Sequence, residues 1–263
     1  MGSFEAAATH FKQGLALAQE INNQKRYRIL ATQLGLIALD LQDANAAKQH
    51  FETMLSSIEQ ESTPVELARA YHGLGLAYQQ FENTTEALRY YDLALAQLNE
   101  ASDPRFHYQV LLAKAWVLVE TRALEQAATF FQEARRIGES SFDAIDSRYQ
   151  AEVGLGGVYL RQRRYQEAIN HFQEADAIEA EFRRPSVHWV ALFEKAQAHW
   201  RSNQGQQAEV AFREAIDVIE ALRENLNSST NRSSFVQKKT RVYEYLAVFL
   251  EVQGRAAEAL YYT

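Results

Sequence analysis

The chain has 263 residues, 47% of them hydrophobic and 23% charged, with a formal net charge of −7, the balance of a folded globular protein rather than a disordered one. No apolar run approaches the roughly 18 residues of a membrane span, and no basic stripe offers a track for nucleic acid, so neither partner is expected. The absence of cysteine excludes disulfides, thiolate zinc sites and a cysteine nucleophile within this sequence.

Only three prolines and eleven glycines interrupt the sequence, and Ala, Leu, Gln, Glu and Arg dominate it, which predicts an all-α protein. In chain order, residues 4–21 read as a lone amphipathic helix. Helix pairs follow at about 25–60, 65–100, 104–139, 145–182 and 186–223, so that 1–223 forms one array. A Ser/Asn/Thr-rich stretch at 224–235 reads as an inserted polar loop, and 236–263 as a last, truncated pair. The N-terminal "MGSFEAAATH" has neither the charged nor the apolar segment of a secretory leader, and a cytoplasmic location is expected.

The pairs are marked by a recurring triplet of a small residue, an aromatic and a second small residue. It occurs at Ala7/Phe11/Gly14, Ala47/Phe51/Met54, Ala87/Tyr91/Ala94, Ala127/Phe131/Ala134, Ala168/Phe172/Ala175 and Ala208/Phe212/Ala215. The leading alanines are spaced 40, 40, 40, 41 and 40 residues apart, a period that identifies a repeat architecture. A second signature stands about a dozen residues upstream. It is fullest at Tyr71, Leu74, Gly75 and Tyr78, partial at Leu34/Gly35 and at Leu155/Gly156/Tyr159, and altered where Lys114/Ala115 and Lys195/Ala196 replace Leu/Gly. Small residues let the helices of a pair approach, and the ring fills the wedge against the next pair. The polar segments "QDAN", "FENT", "QRR" and "SNQG" at 42–45, 81–84, 162–164 and 202–205 read as the turns within pairs. Pro64, Pro104 and Pro185 start new pairs. Thr63-Pro64-Val65-Glu66 has the composition of a capping box, and Asp103 that of a simpler cap.

These residues resemble the tetratricopeptide repeat family, whose first helix carries the leucine–glycine–tyrosine set and whose second carries the alanine–aromatic–alanine set. HEAT-like repeats of similar period lack the triplet. The resemblance covers almost the whole chain and implies a right-handed superhelical solenoid of antiparallel helix pairs. A looser likeness, carried by Ile219, Glu220, Leu222, Arg223, Arg232, Phe235 and Tyr243, is to the segment that links bacterial tetratricopeptide arrays to a CHAT domain, a caspase- and separase-like peptidase module. Together with the incomplete pairs at both ends, it leads to the expectation that the chain is part of a longer protein.

No catalytic constellation, metal site or cofactor motif is expected. His10, His50 and His171 each precede a triplet aromatic and read as a surface habit of the second helices. "GLGGVYL" at 154–160 repeats "GLGLAY" at 73–78 and lacks the lysine and hydroxyl of a phosphate loop. What the family implies instead is a concave groove lined by first helices. Its register places Leu36, Leu39, His72, Leu76, Gln79, Leu112, Trp116, Val119, Val153, Gly157, Leu160, Phe193, Gln197 and Trp200 on that face. Trp116 and Trp200 then serve either as exposed aromatic anchors or as packing between the longer helices. The expected partner is a protein or peptide, apolar or amphipathic, held by a non-catalytic scaffold or sensing arm. The alternative is the ligand-sensing region of a bacterial transcription regulator.

Overall fold

The computed structural model describes residues 2–57, 63–99, 103–139, 144–182, 185–224 and 240–262. Among them are thirteen helices and no strand. The chain divides into two compact units, 1–143 and 144–263. The first contains α1 (Gly2–Glu20), α2 (Gln24–Asp40), α3 (Ala44–Ser56), α4 (Pro64–Gln80), α5 (Thr84–Ala96), α6 (Pro104–Glu120) and α7 (Leu124–Glu139). The second contains α8 (Ala144–Arg161), α9 (Tyr165–Phe182), α10 (Pro185–Arg201), α11 (Gly205–Glu224), α12 (Thr240–Val252) and α13 (Ala256–Ala259). Within each unit every helix packs on its chain neighbour, forming antiparallel pairs. First helices also touch first helices, α2 on α4 and α4 on α6 in one unit, α8 on α10 in the other.

Each pair closes on its own aromatic ring. Phe51, Tyr91, Phe131, Phe172 and Phe212 are all fully buried, as are the alanines that lead their triplets, while Phe11 in α1 is half-buried. The glycines of the upstream signature exist to receive these rings. A methyl group on Gly35 would lie 2.6 Å from the Phe51 ring, on Gly75 2.4 Å from Tyr91, and on Gly156 2.6 Å from Phe172. Gly73 in α4 meets the other side of Phe51 at 2.3 Å, so that ring is clasped between its own first helix and the first helix of the next pair. Burial of such a ring contributes about 1.5–3 kcal/mol.

The turns between paired helices share one device. Gln42, Glu82, Arg122, Arg163 and Asn203 all adopt left-handed φ between 57° and 63°, and the next amide donates back five residues, as Asp43 N does to Ala38 O at 2.8 Å and Arg164 N to Tyr159 O at 2.9 Å. This is a Schellman closure, which satisfies carbonyls that the helix end would orphan. The same closure recurs at Asn22 and at Gly254, where glycine supplies the conformation without strain. Where the next residue has a side-chain acceptor it also caps the following helix: Asn23, Asp43 and Asn83 each accept from an amide three residues on. Thr63 and Glu66 complete the reciprocal capping box, and Asp103 caps α6 through Phe106 N.

The altered signatures become charged seams. Lys114 donates to Asp92 at 2.5 Å and lies 4.0 Å over the Phe130 ring, with its side chain only 12% exposed. Lys195 donates to Asp176 at 2.5 Å. Each stem covers the apolar surface that leucine covers elsewhere, and each ammonium reaches a carboxylate.

Three outcomes follow from this packing and its turns. Gly75→Ala, which forces a methyl group into Tyr91, is expected to destabilise by about 1–3 kcal/mol, and Phe172→Ala by about 3–5 kcal/mol. Arg163→Gly relieves a left-handed non-glycine residue and is expected to stabilise by a few tenths to about 1 kcal/mol. Urea titration followed by helical circular dichroism measures all three.

Candidate functional site

In the first unit α2, α4 and α6 run parallel, because an antiparallel helix separates each from the next. Their last turns therefore lie at the same end of the unit. There a cleft of about 700 Å³ opens, lined by Leu36, Leu39, Asp40, Leu76, Gln79, Gln80, Glu82, Thr84 and Glu120. Its apolar surface is Leu36, 38% exposed, with Leu39 and Leu76 half-buried beside it. Gln80 Nε2 donates to Leu39 O at 2.8 Å, tying α4 to α2, and Gln79 accepts from the Tyr91 hydroxyl at 3.0 Å. The cleft is thus anchored to the clasped ring beneath it. Burial, with Glu120 nearby, pushes the Tyr91 phenol well above its usual range, so it acts only as a neutral donor.

The charged residues here are carboxylates: Asp40, Glu82 and Glu120, all exposed. Asp40 and Glu120 end α2 and α6, where a helix carries partial negative charge, while Glu82 lies in the turn that closes α4 and opens α5; α2, α4 and α6 have no basic residue in their last turns.

Four of the fourteen residues expected on a groove, Leu36, Leu39, Leu76 and Gln79, meet in this cleft. The rest have other surroundings. His72 is half-buried with its ring 5.4 Å from Phe106, edge to face, and 5.8 Å from Tyr91. Leu112, Val119, Val153, Gly157, Leu160 and Phe193 are buried, which corrects the exposed face that the register implied. Their helices are covered on more sides than a bare groove wall would be. Trp116 stands edge-on to Phe131 at 5.1 Å, and Trp200 edge-on to Phe249 at 5.5 Å and to Phe212 at 6.3 Å. Both tryptophans are half-buried extensions of the clasped rings. Gln197 is half-buried as well. Gly157 makes room for a charge pair: a methyl group on it would meet Glu194 Oε2 at 2.8 Å, while Arg161 bridges Gly157 O at 2.8 Å and Glu194 Oε1 at 3.3 Å. Burial pushes the Glu194 carboxyl up, against the pull of Arg161.

Asp40, Gln80, Glu82, Thr84 and Glu120 were not singled out in the sequence. A signal existed, since Asp40, Gln80 and Glu120 are themselves forty residues apart. His171 also departs from a plain surface position: Nδ1 lies 2.6 Å from Glu152 Oε2, and the ring stacks on Tyr159 at 5.2 Å. In the turn at 162–164, Arg164 pairs with Glu167 and lies over Tyr159. Among the described residues no group of three or more His, Cys, Asp or Glu could hold a metal ion, and no helix is long and apolar enough to cross a membrane.

A family model for the tetratricopeptide repeat matches residues 67–96. No curated protein matched the chain in sequence. Several solved structures share its fold. BtubC (BKLC) from P. vanneervenii superposes with a TM-score of 0.74 at 16% identity, over 86% of this chain and 94% of that one. A signal transduction ATPase with numerous domains from Pyrococcus horikoshii, PH0952, which has a tetratricopeptide repeat sensor, gives 0.71 at 16% identity, over 98% of this chain and 39% of that one. The apo form of the quorum sensor NprR from B. thuringiensis gives 0.67 at 13% identity, over 98% and 81%. The structural likeness is one of fold, and the match to the tetratricopeptide repeat model is confined to the one segment at 67–96.

Desolvation, aided by Arg69, lowers the His72 pKa to about 4. The folded value lies below the unfolded one of about 6.5, so between those values the unfolded chain binds the extra proton. The contribution of neutral His72 is complete above pH 6.5 and falls as pH drops towards 4, by at most about 1.4 kcal/mol per pH unit. His72→Gln is expected to flatten the pH dependence of urea midpoints across that window, and NMR titration should find the ring neutral at pH 5.5.

Proposed function

We propose that the chain is a non-catalytic protein-interaction module that holds an apolar or amphipathic peptide or partner helix against its first helices, in the cleft of the first unit. The carrying observation is the meeting of Leu36, Leu39, Leu76 and Gln79 in one open concavity. Its volume falls in the range that takes several side chains, and apolar surface beside a few polar groups is the usual make-up of a binding site. The side chains around it offer hydrogen-bond acceptors and aliphatic surface but no nucleophile–base pair, which favours recognition over reaction.

The setting is that of a scaffold or sensing arm within a larger, cytoplasmic protein. Likeness to PH0952, with its tetratricopeptide repeat sensor, and to the quorum sensor NprR supports this role. The resemblance to linkers of bacterial tetratricopeptide–CHAT proteins supports a peptidase-bearing parent. There Ile219 is buried and Tyr243 donates to Glu220 at 2.5 Å, while Arg232 and Phe235 lie outside the described residues. The likeness to a quorum sensor also favours a second reading, a ligand-sensing region, in which a small effector rather than a protein raises the melting point.

Panning a display library of random peptides, each of about a dozen residues, against the whole chain tests the cleft. Leu39→Asn/Leu76→Asn, checked for native helicity and melting, is expected to lose at least about tenfold in capture, the effect of ~1.4 kcal/mol of lost apolar contact. Undiminished capture by the double variant would remove the cleft from the binding surface.

A further inference from the structure

The last residues of the first helices form a series whose sign changes between the units. In the first unit Asp40, Gln80 and Glu120 end α2, α4 and α6; in the second, Arg161 and Arg201 occupy the same register at the ends of α8 and α10. A helix C-terminus favours a cation. The second unit follows that rule and the first departs from it, with carboxylates ending α2 and α6 and Glu82 standing in the turn between α4 and α5.

These carboxylates are also set apart from their neighbours. In the same unit Glu66 pairs with Arg28, Glu86 with Arg89, Asp92 with Lys114 and Asp103 with Arg69. Among the described residues no cation pairs with Asp40, Glu82 or Glu120. Arg122 stands in the turn just beyond Glu120 but does not line the cleft. The cleft therefore joins an apolar surface of Leu36, Leu39 and Leu76 to an unneutralised acidic rim. Lysine and arginine side chains match both parts, with an aliphatic stem to lie on leucine and a charged head to reach carboxylate.

We infer that the cleft selects a cationic amphipathic peptide segment, with lysine or arginine set beside apolar side chains. This rests on the reading of the cleft as a peptide-binding site. The apolar residues of the segment would cover Leu36, Leu39 and Leu76. Its cations would sit among Asp40, Glu82 and Glu120, supplying the charge that these helix ends lack.

The test uses the full chain, fluorescein-labelled copies of the peptides recovered by panning, and binding read by fluorescence anisotropy. Lysine and arginine are expected to be enriched in the recovered peptides. Asp40→Asn/Glu82→Gln/Glu120→Gln, all exposed positions, should weaken them about tenfold, as three partly screened ion pairs would. Raising salt from about 50 to about 500 mM should weaken wild type more than this triple variant. Replacing the peptide's lysines by glutamine should produce the same loss in wild type and little in the triple variant. Neutral or acidic peptides that still depend on Leu39 and Leu76 would overturn the cationic preference and leave the binding site standing. Peptides indifferent to Leu39→Asn/Leu76→Asn would overturn both. Basic peptides bound equally by wild type and the triple variant would reveal general attraction to an acidic protein and overturn the preference.

Discussion

An aromatic ring clasped between backbones is the interaction on which the rest depends. Phe51 shows it most fully, with Gly35 on one side and Gly73 on the other, both too close to admit a methyl group. Such a ring is at once the core of its own pair and the joint to the next, so stability spreads along the stack through nearest neighbours. Where alanine replaces glycine, at Ala115 and Ala196, the helices still meet their rings, Phe131 and Phe212, and both alanines are fully buried. What the site requires is a small side chain, and glycine itself only where the approach is tightest.

From that joint the chemistry of the open end follows. The three-residue turns make each pair antiparallel, so successive first helices are parallel and their C-termini collect at one end of the unit. Schellman closures finish those helices within three residues and satisfy the backbone there, leaving the side chains of the last turn to decide what the surface attracts. Charges at one register of the repeat therefore add rather than scatter. A forty-residue step is enough to bring Asp40, Gln80 and Glu120, distant in sequence, to one concavity.

Packing also used positions that look like departures from the repeat. Lys114 and Lys195 keep a leucine's contact surface through their stems and spend their charge on Asp92 and Asp176. Trp116 and Trp200 stand edge-on against triplet rings and thicken the core. Gly157 shelters the Arg161–Glu194 pair. Each is a local exchange between volume and charge that leaves the ring and its neighbours in place.

The sequence by itself determined the all-α stacking of pairs, because spacing of small and aromatic residues is a covalent property that the helical period converts directly into facing surfaces. It also determined the Thr63 and Asp103 caps, whose partners lie three residues away along the same chain. Which first-helix residues remain open to solvent was decided only by the tertiary structure. Leu39 and Leu160 occupy the same position of the repeat, yet one lines a cleft and the other is buried, since exposure depends on how closely neighbouring helices approach. Burial and the pairing of charges are sums over neighbours from several helices, and no single stretch of sequence contains that sum.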